Sequence, residues 1–316
     1  MMKNFLILIL FFIFYQNTFA LEISKAKDAK ETLFHLLLKR QTYHYIPYEY
    51  TALTDKNESL YPSRKSSELK ENGKVLIPFV FTYENLAKAL KVEVSYFEIE
   101  IVNANTLLFE NSPSQISASR FYLSPMARSE FEGNAYKMFY LDPLWKVSLG
   151  GGIRNINRYL YGNYLSQGAF KEYFFTYGPQ FSIQSEVTLP YDLYWNLTLD
   201  IFYTQGTRFQ RQPHLIENKL TYAFNNADTE GVFRGYEFDT SLSYQFHSNM
   251  RLFLGFNQII SRFSYLNFNE LRVTSNSNNL GSPNISLSDE FKWEKPICKE
   301  NFDRLQGIYF GLMVTF

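Results

Sequence analysis

Arg304-Leu305-Gln306-Gly307-Ile308-Tyr309-Phe310-Gly311-Leu312-Met313-Val314-Thr315-Phe316 is the stretch whose reading decides the fold. Ile308, Phe310, Leu312, Val314 and Phe316 alternate with Gly307, Tyr309, Gly311, Met313 and Thr315. Successive side chains of a strand point to opposite faces, so this strand turns one large, wholly apolar face to one side. On the edge of a soluble sheet such a face invites aggregation. A closed membrane barrel instead pairs the strand on both edges and gives the apolar face to lipid.

The same alternation recurs upstream. Phe175, Tyr177, Phe181, Ile183, Val187 and Leu189 share a face opposite Thr176, Gly178, Gln180, Ser182, Gln184, Glu186 and Thr188. After Pro190-Tyr191-Asp192, the returning arm sets Leu193, Trp195, Leu197, Leu199, Ile201 and Tyr203 against Asn196, Thr198, Asp200 and Thr204. A second hairpin, over 232–263, repeats the pattern around the turn 247–250. Connections sort by length: 142–143, 190–192 and 247–250 are tight, while 51–74, 155–168, 206–231 and 264–302 are long and polar. Short turns alternating with long loops predict an up-and-down barrel whose short end faces the periplasm and whose long end faces outside.

Six strands are read near 144–154, 170–189, 193–205, 232–246, 250–263 and 303–316. Shorter ones are read near 42–50, 75–83, 92–102, 106–110, 117–124 and 135–141. The expected fold is therefore all-β, a transmembrane antiparallel barrel of about twelve strands, with ten as the lower count. It is preceded by a short N-terminal helix over 26–40, where Ala29, Leu33, Leu36 and Leu37 fall near helical spacing. That helix is expected in the periplasm or in the lumen, and 84–91 is read as a helical turn. Residues 1–20, with Lys3 ahead of an apolar run and Thr18-Phe19-Ala20 behind it, read as a secretory signal. The division is signal 1–20, helical lead-in 21–41 and barrel 42–316.

Composition agrees with alternating faces. The 316 residues include 31 Phe, 24 Tyr and 3 Trp, yet mean hydropathy lies below zero. Basic and acidic residues balance at 31 each, which gives no polybasic field for nucleic acid. Charge at the bilayer midplane costs about 2–4 kcal/mol on a lipid face. Lys146, Glu186, Asp200, Glu237, Asp239 and Arg251, all on polar faces, are therefore assigned to the lumen.

No constellation reads as catalytic. Phe246-His247-Ser248-Asn249 superficially resembles the His-x-Ser-Asn run of outer-membrane phospholipases, but His247 and Ser248 are adjacent and would point to opposite sides of a strand. His214 with Asp228 or Glu230 reads as a solvated loop histidine. The single Cys298 has no partner, and no paired His, Cys cluster or Asp-rich calcium loop appears, so neither metal nor cofactor is assigned. Gly150-Gly151-Gly152 sits in a strand pattern and is read as a close backbone approach.

Two resemblances add to this reading. Ile308, Phe310, Leu312, Val314 and Phe316 are similar to the terminal assembly signal of bacterial outer-membrane barrels, which implies outer-membrane lipid and the barrel-assembly machinery as partners. The signal, the stretch 31–40 and the aromatic strand pattern together resemble uncharacterised leptospiral outer-membrane barrel proteins. That implies location and fold, not substrate. Two roles follow as expectations: a porin-like channel for small solutes through a wet lumen, or a surface barrel whose loop 264–302, with Lys292, Trp293 and Lys295, meets an extracellular partner.

Overall fold

A computed structural model describes residues 32–48, 51, 65–66, 70–71, 75–101, 104–112, 115–122, 126–165, 168–211, 220–221, 230–267, 274–275 and 301–316. The chain runs β1 (Thr32–Thr42), β2 (His44–Ile46), β3 (Lys65–Ser66), β4 (Lys70–Glu71), β5 (Val75–Leu76), β6 (Phe79–Asn85) and β7 (Leu90–Ile101). Then come β8 (Ala104–Ser112), β9 (Gln115–Tyr122), β10 (Met126–Asp142), β11 (Trp145–Leu165), β12 (Gly168–Leu189) and β13 (Leu193–Arg211). The last are β14 (Leu220–Thr221), β15 (Glu230–His247), β16 (Met250–Leu266), β17 (Thr274–Ser275) and β18 (Asn301–Thr315).

Antiparallel pairing passes from β18 through β16, β15, β13, β12, β11, β10, β7 and β6 to β1, and β1 pairs with β18, so ten strands close on themselves. The two further strands of that sheet extend members of the wall. β2 meets β18 in the register β1 uses, His44 opposite Gln306 as Gln41 is opposite Tyr309. β5 likewise continues β6 along β1, with Leu76 opposite Gln41 and Phe79 opposite Leu38. The gap between β5 and β6 holds Pro78, which has no N–H to give the ladder but whose carbonyl still accepts from Lys39 N at 2.9 Å.

Three expectations are corrected. Residues 32–40 are strand, not the end of a helix, and the barrel begins at Thr32 and not at 42; residues 26–31 lie outside the described part. Seven register pairs from His35/Thr315 to Gln41/Tyr309 supply the partner that β18 needs, and this non-local demand overrides the local helical spacing. Residues 84–91 are the end of β6, a tight turn and the start of β7, not a helical turn. The stretches 106–110 and 117–122 pair with one another within β8 and β9 in a separate four-stranded sheet with β3 and β4, outside the wall, and 123–124 lie outside the described residues.

The short end is as expected: tight turns at 86–89, 143–144, 190–192 and 248–249 lie with Thr32 and Phe316. At the far end one reading changes. Residues 155–165 prolong β11, and β12 starts at Gly168, so this connection is two residues and not a long loop. The connections 51–74, 102–125, 212–229 and 267–300 are long, and short pairings such as β14 with β17 tie them together.

The outside is apolar. Phe34, Leu38, Phe181, Ile201, Leu254 and Phe310 are among many large apolar side chains exposed on the wall, while the alternate positions are buried inside. In β10 the inward row is Met126, Arg128, Glu130, Glu132, Asn134, Tyr136 and Met138, every one buried. A barrel greasy outside and charged inside has lipid as the solvent of its outer face.

The glycine run has a packing reason. Gly150 lies directly opposite Tyr136, and a Cβ there would sit 2.5 Å from Tyr136 Cδ1. The ring lies over the glycine and reaches across β11, so that Tyr136 Oη meets Ser182 Oγ at 3.1 Å. Gly150→Val should therefore overpack the lumen and lower unfolding stability by about 1–3 kcal/mol. Gly133→Val, where an added Cβ meets only Phe131 Cε1 at 4.0 Å, should leave stability nearly unchanged. Urea unfolding of detergent-folded protein, read by the gel-mobility shift of the folded form, compares the two.

Candidate functional site in the barrel interior

Charged side chains line the interior, from partly accessible pairs in its lower part to fully buried ones toward the long loops. Nearest the short-turn end, Lys146 Nζ meets Glu186 at 3.3 Å and Glu84 at 3.6 Å, and Arg251 Nη1 meets Glu186 at 3.1 Å. Lys146, Glu186 and Arg251 are 21–24% accessible. His35, expected on a helix, points inward from β1, and its Nδ1 lies 2.8 Å from Thr315 Oγ1.

Further in, Lys39 Nζ lies 3.0 Å from Asp239 and over the ring of Tyr309, whose hydroxyl donates to Asp239 at 2.7 Å. Lys91 pairs with Glu93 at 2.8 Å, and Gln184 links Glu93 to Tyr136. These layers bound a cavity of about 480 Å³. Its walls include all six residues read from the sequence: Lys146, Glu186, Asp200, Glu237, Asp239 and Arg251.

The cavity is blind toward the long loops. Arg154 Nε and Nη2 contact Glu130 at 2.7 and 2.5 Å, and its Nη1 reaches Glu237 at 2.8 Å and Glu132 at 3.2 Å. Arg128 holds the other oxygen of Glu130 at 2.6 Å and pairs with Asp303, which also accepts from Tyr45 Oη at 2.8 Å. The side chains of Arg128, Glu130 and Arg154 have no accessible surface.

Above them the interior turns apolar. Tyr48 stacks on Phe263 with centroids 4.2 Å apart, and Phe174 and Phe233 pack on Phe263 at 5.0 and 4.7 Å. Arg158 lies over Tyr48 at 4.1 Å. Among the described residues the salt-bridge and aromatic layers are both buried.

One group among the described residues has metal-ligand geometry: Glu132, Asp200 and Glu237 offer oxygens all within 4.8 Å of one another. They come from β10, β13 and β15, so no sequence spacing announces them. Arg128, Glu130 and Glu132 precede the strand that the sequence reading starts at 135, and Arg154 and Asp303 are the end residues of the strands read at 144–154 and 303–316 and are not assigned to the lumen there. Charges at every second position over 128–132 were the available signal.

His247 is the exposed last residue of β15, its Nδ1 3.4 Å from Ser248 Oγ, and among the described residues it meets no carboxylate. Glu230 accepts from Gln205 Nε2. The terminal row turns outward, with Ile308, Phe310 and Phe316 more than half exposed and Leu312 and Val314 less so. Residues 1–20, His214, Asp228, Lys292, Trp293, Lys295 and Cys298 lie outside the described residues.

Residues 30–316 match a family model described as predicted outer membrane protein, Leptospiraceae. No curated protein matches the chain. Among solved structures it is similar to the outer membrane protease OmpT from Escherichia coli, with TM-score 0.50 and 10% identity over 92% of this chain and 100% of that one. The Pseudomonas putida toluene transporter TodX matches at TM-score 0.34 and 7% identity over 91% and 90%, and Neisserial surface protein A at 0.28 and 10% over 92% and 100%. The likeness to the protease is one of fold.

Because Arg154 is buried among carboxylates, Arg154→Met should cost about 3–5 kcal/mol of unfolding free energy by stranding Glu132 and Glu237 and leaving Glu130 with Arg128 alone. Lys146→Met, in the water-accessible layer, should cost no more than about 1 kcal/mol. Chemical unfolding in detergent measures both.

Proposed function

We infer that this chain, which belongs to the Leptospiraceae family of predicted outer membrane proteins, is a closed outer-membrane barrel that displays its long-loop end to the exterior and does not conduct solutes steadily. One observation carries the reading: the Arg128–Glu130–Arg154–Asp303 layer has almost no accessible surface, and the aromatic layer above it has none to spare. Ten strands enclose a lumen only a little wider than the eight-strand barrels that side chains fill. The long connections 51–74, 102–125, 212–229 and 267–300 all leave the same end, and in this reading they meet the extracellular partner. The outward row Ile308, Phe310, Leu312, Val314 and Phe316 is the face offered to the assembly machinery. No catalytic role is proposed.

The second reading, a gated channel for small solutes, is favoured by the polar cavity of about 480 Å³ below that layer, which brings water to within one salt-bridge tier of the aromatic seal.

Purified wild-type protein in a planar bilayer should be electrically quiet. Discrete, sustained conductance steps would remove the closed reading in favour of the channel. An epitope tag inserted near residue 280 should be labelled on intact cells and a tag at Ser248 should not; the reverse pattern would invert the orientation.

A further inference from the structure

The carboxylates around the cavity divide into two sets when each is matched with its nearest cation. Asp239 has Lys39, Glu93 has Lys91, Glu84 and Glu186 share Lys146, and Glu186 also has Arg251. Glu132, Asp200 and Glu237 are left, and these are the three that converge within 4.8 Å. The only cation paired with any of them among the described residues is Arg154, whose Nε and Nη2 are already committed to Glu130. A single nitrogen, Nη1, serves both Glu132 and Glu237.

Asp200 is the independent sign of a missing ligand. It is 95% buried, lines the cavity, and its Oδ1 has no hydrogen-bond partner. A buried carboxylate oxygen without a donor costs several kcal/mol unless something positive meets it.

The other two carboxylates are held in place from behind. Gln180 Nε2 donates to Glu132 Oε2 at 3.1 Å, and Asn257 Nδ2 donates to Glu237 Oε1 at 2.6 Å. Amide donors that fix one oxygen of a carboxylate are the usual outer support of a metal ligand, and the other oxygens, Glu132 Oε1 and Glu237 Oε2, both turn to the one Arg154 Nη1. The site is also reachable: Glu132 and Glu237 are 11% and 14% accessible, against 0% for Arg154. The approach runs up the cavity from the short-turn end, past Lys146, Glu186 and Lys39.

We propose that Glu132, Asp200 and Glu237 form a binding site for one divalent metal cation inside the barrel, at the blind end of the cavity. An all-oxygen, all-anionic donor set selects a hard ion of the calcium, magnesium or manganese class over zinc or copper. The ion joins β10, β13 and β15 across the lumen and relieves Arg154 of two of its three carboxylates. The site braces the seal from below, in a protein that keeps its outer half closed.

Full-length mature protein, folded in detergent and stripped with chelator, is titrated with calcium, magnesium and manganese while its thermal unfolding midpoint is followed, and bound manganese is counted by equilibrium dialysis. One ion per chain and a saturable rise in the midpoint are expected, with Asp200→Asn and Glu237→Gln each weakening binding at least tenfold. Glu84→Gln, a cavity carboxylate outside the cluster, should bind like wild type. Absence of bound manganese in the folded wild type would overturn the site, whatever the variants do. So would a midpoint that follows pH but not metal, since a shared proton would then fill the place of the ion, or binding that survives Asp200→Asn.

Discussion

Closure of β1 on β18 is the constraint on which the rest depends. A bilayer supplies no water to backbone N–H and C=O groups, so a sheet that spans it must have no free edge. The pairs from His35/Thr315 to Gln41/Tyr309 remove the last edge. They also join the two ends of the described chain, so the wall is complete only when its first and last strands meet. β2 and β5 carry the same registers upward past the broken positions at Tyr43 and Pro78.

Once the wall is closed, alternation decides what is inside. Each strand that gives lipid one face must give the lumen the other, and the lumen of a ten-strand barrel is too narrow to be left as bulk water or filled only with aliphatic groups. Charge is admitted there on condition that it is paired. The pairs run between strands far apart in sequence, Arg128 with Asp303 and Arg154 with Glu237, so they also fix which strands face each other across the barrel. Net stabilisation from such pairs is small, because desolvation offsets most of the Coulomb gain. Their breakage is costly, and that asymmetry favours one arrangement of the interior.

The fold was legible where the outward residues are large. In β12, β13, β15, β16 and β18, Phe, Leu, Ile and Tyr mark every second position, and the faces read from sequence coincide with the exposed and buried rows. In β10 the outward residues include Ala127, Ser129, Gly133 and Ala135, too small to signal lipid, and the strand was seen only from 135. Residues 32–40 carry both a helical spacing of leucines and a strict alternation, with Phe34 and Leu38 outward and His35, Leu37 and Lys39 toward the cavity. Local pattern alone does not choose between them; the open edge of β18 does. The metal-like cluster was illegible for a different reason. Its members stand 68 and 37 residues apart in the chain and meet only through a register that no single segment encodes.

The cavity and the seal have one cause, the size of the inward side chains along each strand. Along β11 the inward row begins Lys146, Ser148, Gly150 and Gly152, then continues Arg154, Ile156 and Arg158. Ser148 near the short-turn end leaves space, which Ser241 and Thr82 on other strands enlarge, while Gly150 gives its room to the Tyr136 ring. Large residues near the long loops remove that space. Strand number sets the width of the tube, but residue size along the tube sets where it is hollow. The same gradient places the polar cavity toward the short-turn end and the buried Arg154, Arg158 and aromatic side chains toward the long loops.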